Sequence, residues 1–101
     1  MERQIVLKKR YINNLLKLLT YLKAEWGEKV TTEFIARLDK RLLDLLSQPY
    51  IGIQSEVVKE VRGILITRHN RVFYKVETSK IIILHIKDTR MNPKRNPYKS
   101  N

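Results

Sequence analysis

Apolar residues recur at helical spacing through the first half of the chain and alternate in steps of two through the second. Gln4 to Leu7 reads as a short strand, with Ile5 and Leu7 alternating. From Lys9 to Trp26 the apolar positions Ile12, Leu15, Leu16, Leu19, Leu22 and Trp26 follow one face of a helix, with Lys17 and Lys23 on the other. Gly27 is placed to stop that helix, since glycine alone takes a positive φ without a Cβ penalty. A second helix is predicted from Lys29 to Ser47, with Val30, Phe34, Ile35, Leu38, Leu42, Leu45 and Leu46 on its face and Pro49 beyond its end. The link through Gly27 is so short that the two helices must form an antiparallel hairpin.

After a turn-rich loop from Pro49 to Gly52, the stretch Ile53 to Lys59 is ambiguous. The period then changes to two. Val61 to Thr67, Arg71 to Val76 and Lys80 to Lys87 read as strands, joined by Arg68 to Asn70 and by Thr78-Ser79. The order β-α-α-β-β-β predicts an α+β domain, with a meander carrying the helical hairpin on one face and the first strand joining the same sheet. Two alternating sets stand out in the later strands, Val72, Tyr74 and Val76, and Ile82, Leu84 and Ile86. Arg71, Phe73 and Lys75 then share the opposite face with His85 and Lys87. The expected domain covers residues 1–90. Residues 91–101, with Asn92-Pro93 and Asn96-Pro97 and no acidic side chain, read as a loosely held basic tail.

Composition sharpens this picture. In 101 residues there are 21 Lys and Arg against 10 Asp and Glu, a net charge of +11, and no cysteine. Disulfides, thiolate catalysis and thiolate metal sites are therefore excluded. The charge is uneven: residues 1–58 hold 10 basic and 7 acidic side chains, whereas residues 59–101 hold 11 and 3. A basic surface that meets an anionic partner is therefore expected on the second half. The apolar runs are too short for a signal peptide or a membrane span, so a cytoplasmic location is expected.

No glycine-rich phosphate loop, metal-ligand cluster or carboxylate pair is legible, which disfavours triad, zinc and two-carboxylate hydrolases. What remains is a set of strand and turn cations with three possible proton carriers: Arg62, Arg68, His69, Arg71, Tyr74, Lys75, His85, Lys87 and Arg90. Arginine forks bind phosphate oxygens in pairs, and metal-free RNA cleavage needs a base, an acid and cations between them. Each residue also has a plainer reading. The cations suit a solvated face, Tyr74 and Trp26 suit the core, and His85 suits a hydrogen-bonded position among Ile83, Leu84 and Ile86. Arg62 is the first choice for a functional role, on the expectation that it lies at the sheet face.

The chain resembles the RelE/ParE family of bacterial type II toxin–antitoxin toxins over about residues 3 to 93. The resemblance is carried by Tyr21-x4-Trp26-Gly27, Leu45-x3-Pro49-x2-Gly52, Val61-Arg62, the run from His69 to Val76, Ile82-Ile83-Leu84-His85-Ile86 and Arg90-Met91-Asn92-Pro93. The first motif and the His-x2-Val-Phe-Tyr strand are closer to ParE-like members, which implies a poison of DNA gyrase involved in plasmid stabilisation. On that reading Arg62, Arg68, His69, Arg71, Lys87 and Arg90 contact the target. The alternatives are a RelE-like toxin that cuts messenger RNA on the ribosome, and a non-toxic basic nucleic-acid-binding protein of the same fold. A RelE-like enzyme would need no metal and would draw on Arg62, Arg71, His85 and Arg90. The resemblance further implies a cognate acidic antitoxin, with the helical hairpin groove and any free sheet edge as its landing sites, and no cofactor.

Overall fold

The computed structural model describes residues 3–91; of the basic tail expected over 91–101, Met91 packs partly against the core and the rest lies outside the described residues. Strand β1 (Gln4–Leu7) leads into a helical segment α1 (Lys9–Ser47), followed by β2 (Ile53–Gln54), β3 (Val61–Thr67), β4 (Asn70–Val76) and β5 (Lys80–Asp88). The five strands make one sheet in the order β1-β5-β4-β3-β2. All pairs are antiparallel except β1 with β5. The sheet is therefore mixed, and the short edge strand β2 emerges from the stretch whose periodicity decided nothing. An α+β architecture is what the alternation of periods predicted.

A straight helix of 39 residues would run about 58 Å, longer than the molecule's greatest extent of 41 Å. The segment is broken at Gly27, where φ is 89° and ψ is 175°. That backbone region is open essentially to glycine alone. The break is abrupt, with helical residues on both sides, and the Thr31 hydroxyl donates to the Gly27 carbonyl at 2.9 Å. Two arms result, 9–26 and 28–47.

The first arm buries Tyr11, Leu18 and Leu22, with Leu15 and Leu19 partly covered, and the second buries Phe34, Leu38 and Leu45. In the first arm the buried stripe lies about one residue round from the predicted face. Leu16 stays 58% exposed, and Trp26, expected in the core, is 54% exposed at the hairpin tip. Leucines adjoin on both flanks of the arm, so its helical period is satisfied by either stripe. Contact with the sheet selects one.

Helix-facing sheet positions are Ile64 and Ile66 on β3, Val72 and Tyr74 on β4, and Ile81, Ile83 and Ile86 on β5. The alternation expected for Ile82, Leu84 and Ile86 fails because β5 is irregular. Its register steps from Phe73↔His85 to Tyr74↔Ile83, leaving Leu84 as an extra residue. A bulge of one residue reverses which side chains face the core. Odd positions point inward before it, even positions after it.

Candidate functional site

The face of the sheet turned away from the helices carries a cleft of about 990 Å3. Its floor is Gly63, Phe73, Leu84 and His85. One wall is the run Lys8-Lys9-Arg10 at the start of α1, and the other is the loop from β2 into β3. Phe73 and His85 are cross-strand partners whose rings stack at 4.6 Å with an interplanar angle of 24°. Gly63 makes this floor possible: a Cβ there would sit 2.9 Å from Cδ of Arg71 and 3.3 Å from the Phe73 ring. The stem of Arg71 thus lies across a glycine, and Arg71 is part of the cleft lining.

Two local rules are broken here. Arg71 lies directly opposite Lys87, a like-charge cross-strand pair that is unfavourable by itself. The first turn of α1 holds no acidic residue but does hold Lys9 and Arg10, against the positive end of the helix dipole. Glu56 is the one carboxylate among the described lining residues. The result is concentrated positive potential over an aromatic floor. A smaller hollow of about 290 Å3 continues the cleft past Arg71 and Lys87 to Arg68 and His69 at the β3–β4 turn.

His85 is half-buried, and its pKa is lowered by burial first and then by Arg10 and Lys87. It is therefore neutral at physiological pH. His69 contributes its backbone carbonyl, which accepts from the Thr89 amide at 2.8 Å and the Thr89 hydroxyl at 3.2 Å.

Arg71, His85 and Lys87 are therefore brought together, with Arg68 and His69 close by and Lys75 on the same face, opposite Val61 and Ile82. Arg62, Tyr74 and Arg90 are not part of this group. Arg62 pairs with core-facing Tyr74, which turns it to the helix side of the sheet, contrary to the expected placement. Its Nη1 donates to the Gly52 carbonyl at 2.9 Å and the Tyr50 carbonyl at 3.3 Å, and its guanidinium lies 5.1 Å from the Tyr50 ring centre. Tyr74 is fully buried; its hydroxyl donates to the Pro49 carbonyl at 2.8 Å and accepts from the Gly52 amide at 2.9 Å. Burial raises its pKa, partly offset by that amide and by Arg62 and Arg41. These two side chains hold the 49–52 loop.

Arg90 is committed to Asp88. Its Nη2 and Nε donate to the carboxylate at 2.9 and 3.1 Å, and its amide adds a bond of 2.8 Å. Asn70 donates a further bond at 3.2 Å. Lys8, Lys9, Arg10 and Leu84 were missed from sequence. The three consecutive cations at a helix start were a legible signal, because they oppose the dipole. Leu84 was not legible, because only the bulge turns it to this face. Among the described residues no group of three or more His, Asp or Glu side chains is placed to hold a metal, and no helix is long and apolar enough to cross a membrane.

The profile of the family described as "ParE toxin of type II toxin-antitoxin system" matches residues 5–93. No curated protein matches in sequence. Solved structures match in fold. A chain of the chromosomal ParDE system from P. aeruginosa aligns at TM-score 0.71 and 17% identity, over 85% of this chain and 95% of that one. The E. coli toxin RelE, as a double mutant in the free state, aligns at 0.60 and 16%, over 92% and 90%. The E. coli DinJ-YafQ toxin–antitoxin complex aligns at 0.61 and 10%, over 91% and 98%.

Proposed function

Because the chain belongs to the ParE toxin family of type II toxin–antitoxin systems, we propose that it is a toxin acting by binding, an inhibitor of DNA gyrase held in check by a cognate antitoxin. The observation that carries this reading is the division of labour among the cations. Arg62 and Arg90, which a catalytic set would need, are engaged in internal hydrogen bonds, and Tyr74 is sealed in the core on the other face. The cleft offers fixed positive charge around a stacked, neutral His85. That chemistry suits gripping an anionic or acidic target more than moving protons between two groups. A face that merely kept the chain in solution would not need Arg71 opposite Lys87, or cations at a helix start, since both arrangements are locally unfavourable.

Solved toxin–antitoxin assemblies of this fold and the charge of +11 support an acidic antitoxin as the neutralising partner. A ribosome-dependent endoribonuclease is the second reading, favoured by one observation: a neutral imidazole beside Arg71 and Lys87 is a usable base.

The deciding experiment adds the purified chain, its Arg71→Ala variant and its His85→Gln variant to gyrase on supercoilable plasmid. In parallel, each is added to translating ribosomes. The expected outcome is inhibited supercoiling with trapped DNA cleavage, weakened about tenfold by Arg71→Ala, as for loss of a charged hydrogen bond, and unchanged by His85→Gln. Cut transcripts that vanish with His85→Gln, with gyrase unaffected, would establish the nuclease instead.

A further inference from the structure

Away from the cleft, Tyr50 stands exposed on the 49–52 loop with two guanidiniums over its ring. That of Arg62 lies 5.1 Å from the ring centre and that of Arg3 lies 5.9 Å from it. All three side chains are held by ordered backbone. Tyr74 pins the loop at Pro49 and Gly52, and the Ile51 amide donates to the Gln48 carbonyl at 3.2 Å. Arg62 reaches the loop from β3, on the side of the sheet that faces the helices. Arg3 directly precedes β1, where its Nε donates to the Glu77 carbonyl at 2.8 Å. The Gln4 amide beside it donates to the Ser79 carbonyl at 3.0 Å.

One arginine over a tyrosine ring is a favourable contact. A second on the same ring adds repulsion between like charges, and nothing here cancels it. The ion pairs among the described residues involve Lys40, Arg41 and Arg90, so no carboxylate there neutralises Arg3 or Arg62. Their partners are carbonyls, which orient a guanidinium but leave its net charge in place. A guanidinium has five N–H donors. Only Nη1 of Arg62 and Nε of Arg3 are spent on protein acceptors. Nε and Nη2 of Arg62 and both terminal nitrogens of Arg3 have no acceptor among the described residues.

We propose that Arg3, Tyr50 and Arg62 form a binding site for a phosphate group, separate from the cleft. A tetrahedral oxyanion offers acceptors in several directions, which suits two guanidiniums arriving from different elements, with the Tyr50 hydroxyl as a further donor. A planar carboxylate is matched by one guanidinium fork alone. Because carbonyls and the tyrosine ring already orient the two arginines, less side-chain freedom is lost when the anion binds. The phosphate is either a free anion or part of a nucleic-acid backbone, and the probes below separate the two sources.

The test follows the arginine Nε signals of the 15N-labelled full chain by NMR, with Arg10 and Arg71 reporting on the cleft in the same spectra. Inorganic phosphate, acetate and a 5′-phosphorylated oligothymidylate are titrated separately, at constant ionic strength made up with sodium chloride. Phosphate is expected to shift Arg3 and Arg62 saturably and at lower concentration than acetate. Arg3→Gln should weaken the Arg62 response about tenfold, as for loss of a charged hydrogen bond. Tyr50→Phe keeps the ring and should weaken it by a smaller factor. Both variants spare the bonds from Arg62 and Tyr74 to the loop, and circular dichroism checks that each is folded. An Arg62 response that does not saturate, that acetate matches, or that survives Arg3→Gln unchanged would overturn the proposal. Given a saturable response, oligothymidylate acting at lower concentration than inorganic phosphate assigns the site to a nucleic-acid backbone, and equal potency assigns it to the free anion. Neither gyrase nor antitoxin enters the measurement, so its outcome is independent of the proposed function.

Discussion

Asp88 shows how one residue can be both buried and charged. Its side chain is 1% exposed, and burial alone would raise its carboxyl pKa. Hydrogen bonds from the Arg90 side chain and amide and from Asn70 outweigh burial and hold the pKa below the ordinary carboxylate value. A carboxylate depressed in the folded state stabilises the fold above its unfolded value and loses that contribution as pH falls through the folded one. Asp88→Asn is therefore expected to destabilise by ~1.5–3 kcal/mol near neutrality, the range for a hydrogen bond to a charged group. The gap from the parent should narrow as acid protonates the parent's carboxyl. Urea unfolding midpoints measured from neutral pH down into the carboxylate range check this, and a gap that stays constant would assign the acid sensitivity to another group. The same cluster explains why Arg90, an attractive functional candidate by residue type, is a structural clasp between the ends of β4 and β5. Residue type alone cannot show that its partner lies two positions away on a buried wall.

At the level of elements, the helical hairpin depends on Gly27 and the cleft floor on the bulge at Leu84. A Cβ at Gly27 would meet nothing within 4 Å, so its requirement is conformational, not steric. Gly27→Ala and Gly27→Val are thus both expected to lower stability by ~1–3 kcal/mol, the usual size for a side chain forced into a glycine-only backbone region. That corresponds to roughly 4–8 °C in melting temperature per kcal/mol for a domain of this size. Calorimetry giving a far larger loss for valine than for alanine would show that space, and not backbone angle, is the constraint. The hairpin stop was legible because a glycine at a break in the helical period has few roles besides ending the helix. The bulge was not, since Ile81, Ile82, Ile83 and Leu84 are equally apolar and either phase buries two of them. One inserted residue then left Leu84, His85 and Lys87 on one face and Ile86 and Asp88 on the other.

For the whole molecule, the charge of +11 is the property with the longest reach. Five cations around the cleft, Lys8, Lys9, Arg10, Arg71 and Lys87, lie in one region, so an acidic partner is drawn toward this face before any contact forms. Association with the antitoxin is expected to slow about tenfold between low and physiological ionic strength as the field is screened. Dissociation, governed by short-range contacts once the complex has formed, should change much less. Stopped-flow measurements across a salt series test this; an association rate indifferent to salt would mean that steering plays no part.

Periodicity by itself determined the number and type of the main elements, because helix and strand bury an apolar face at different spacings and a short glycine link permits only a hairpin. Charge count determined the sign of the surface, since no fold can hide so many cations in excess of carboxylates. Tertiary structure alone decided which stripe of the first helical arm is inside, which phase of β5 faces the core, and which arginines remain available. Those outcomes depend on what lies opposite each residue. Arg62 and Arg71 are alike in composition and alternation, yet one meets the carbonyls of the 49–52 loop and the other crosses Gly63 into an open cleft.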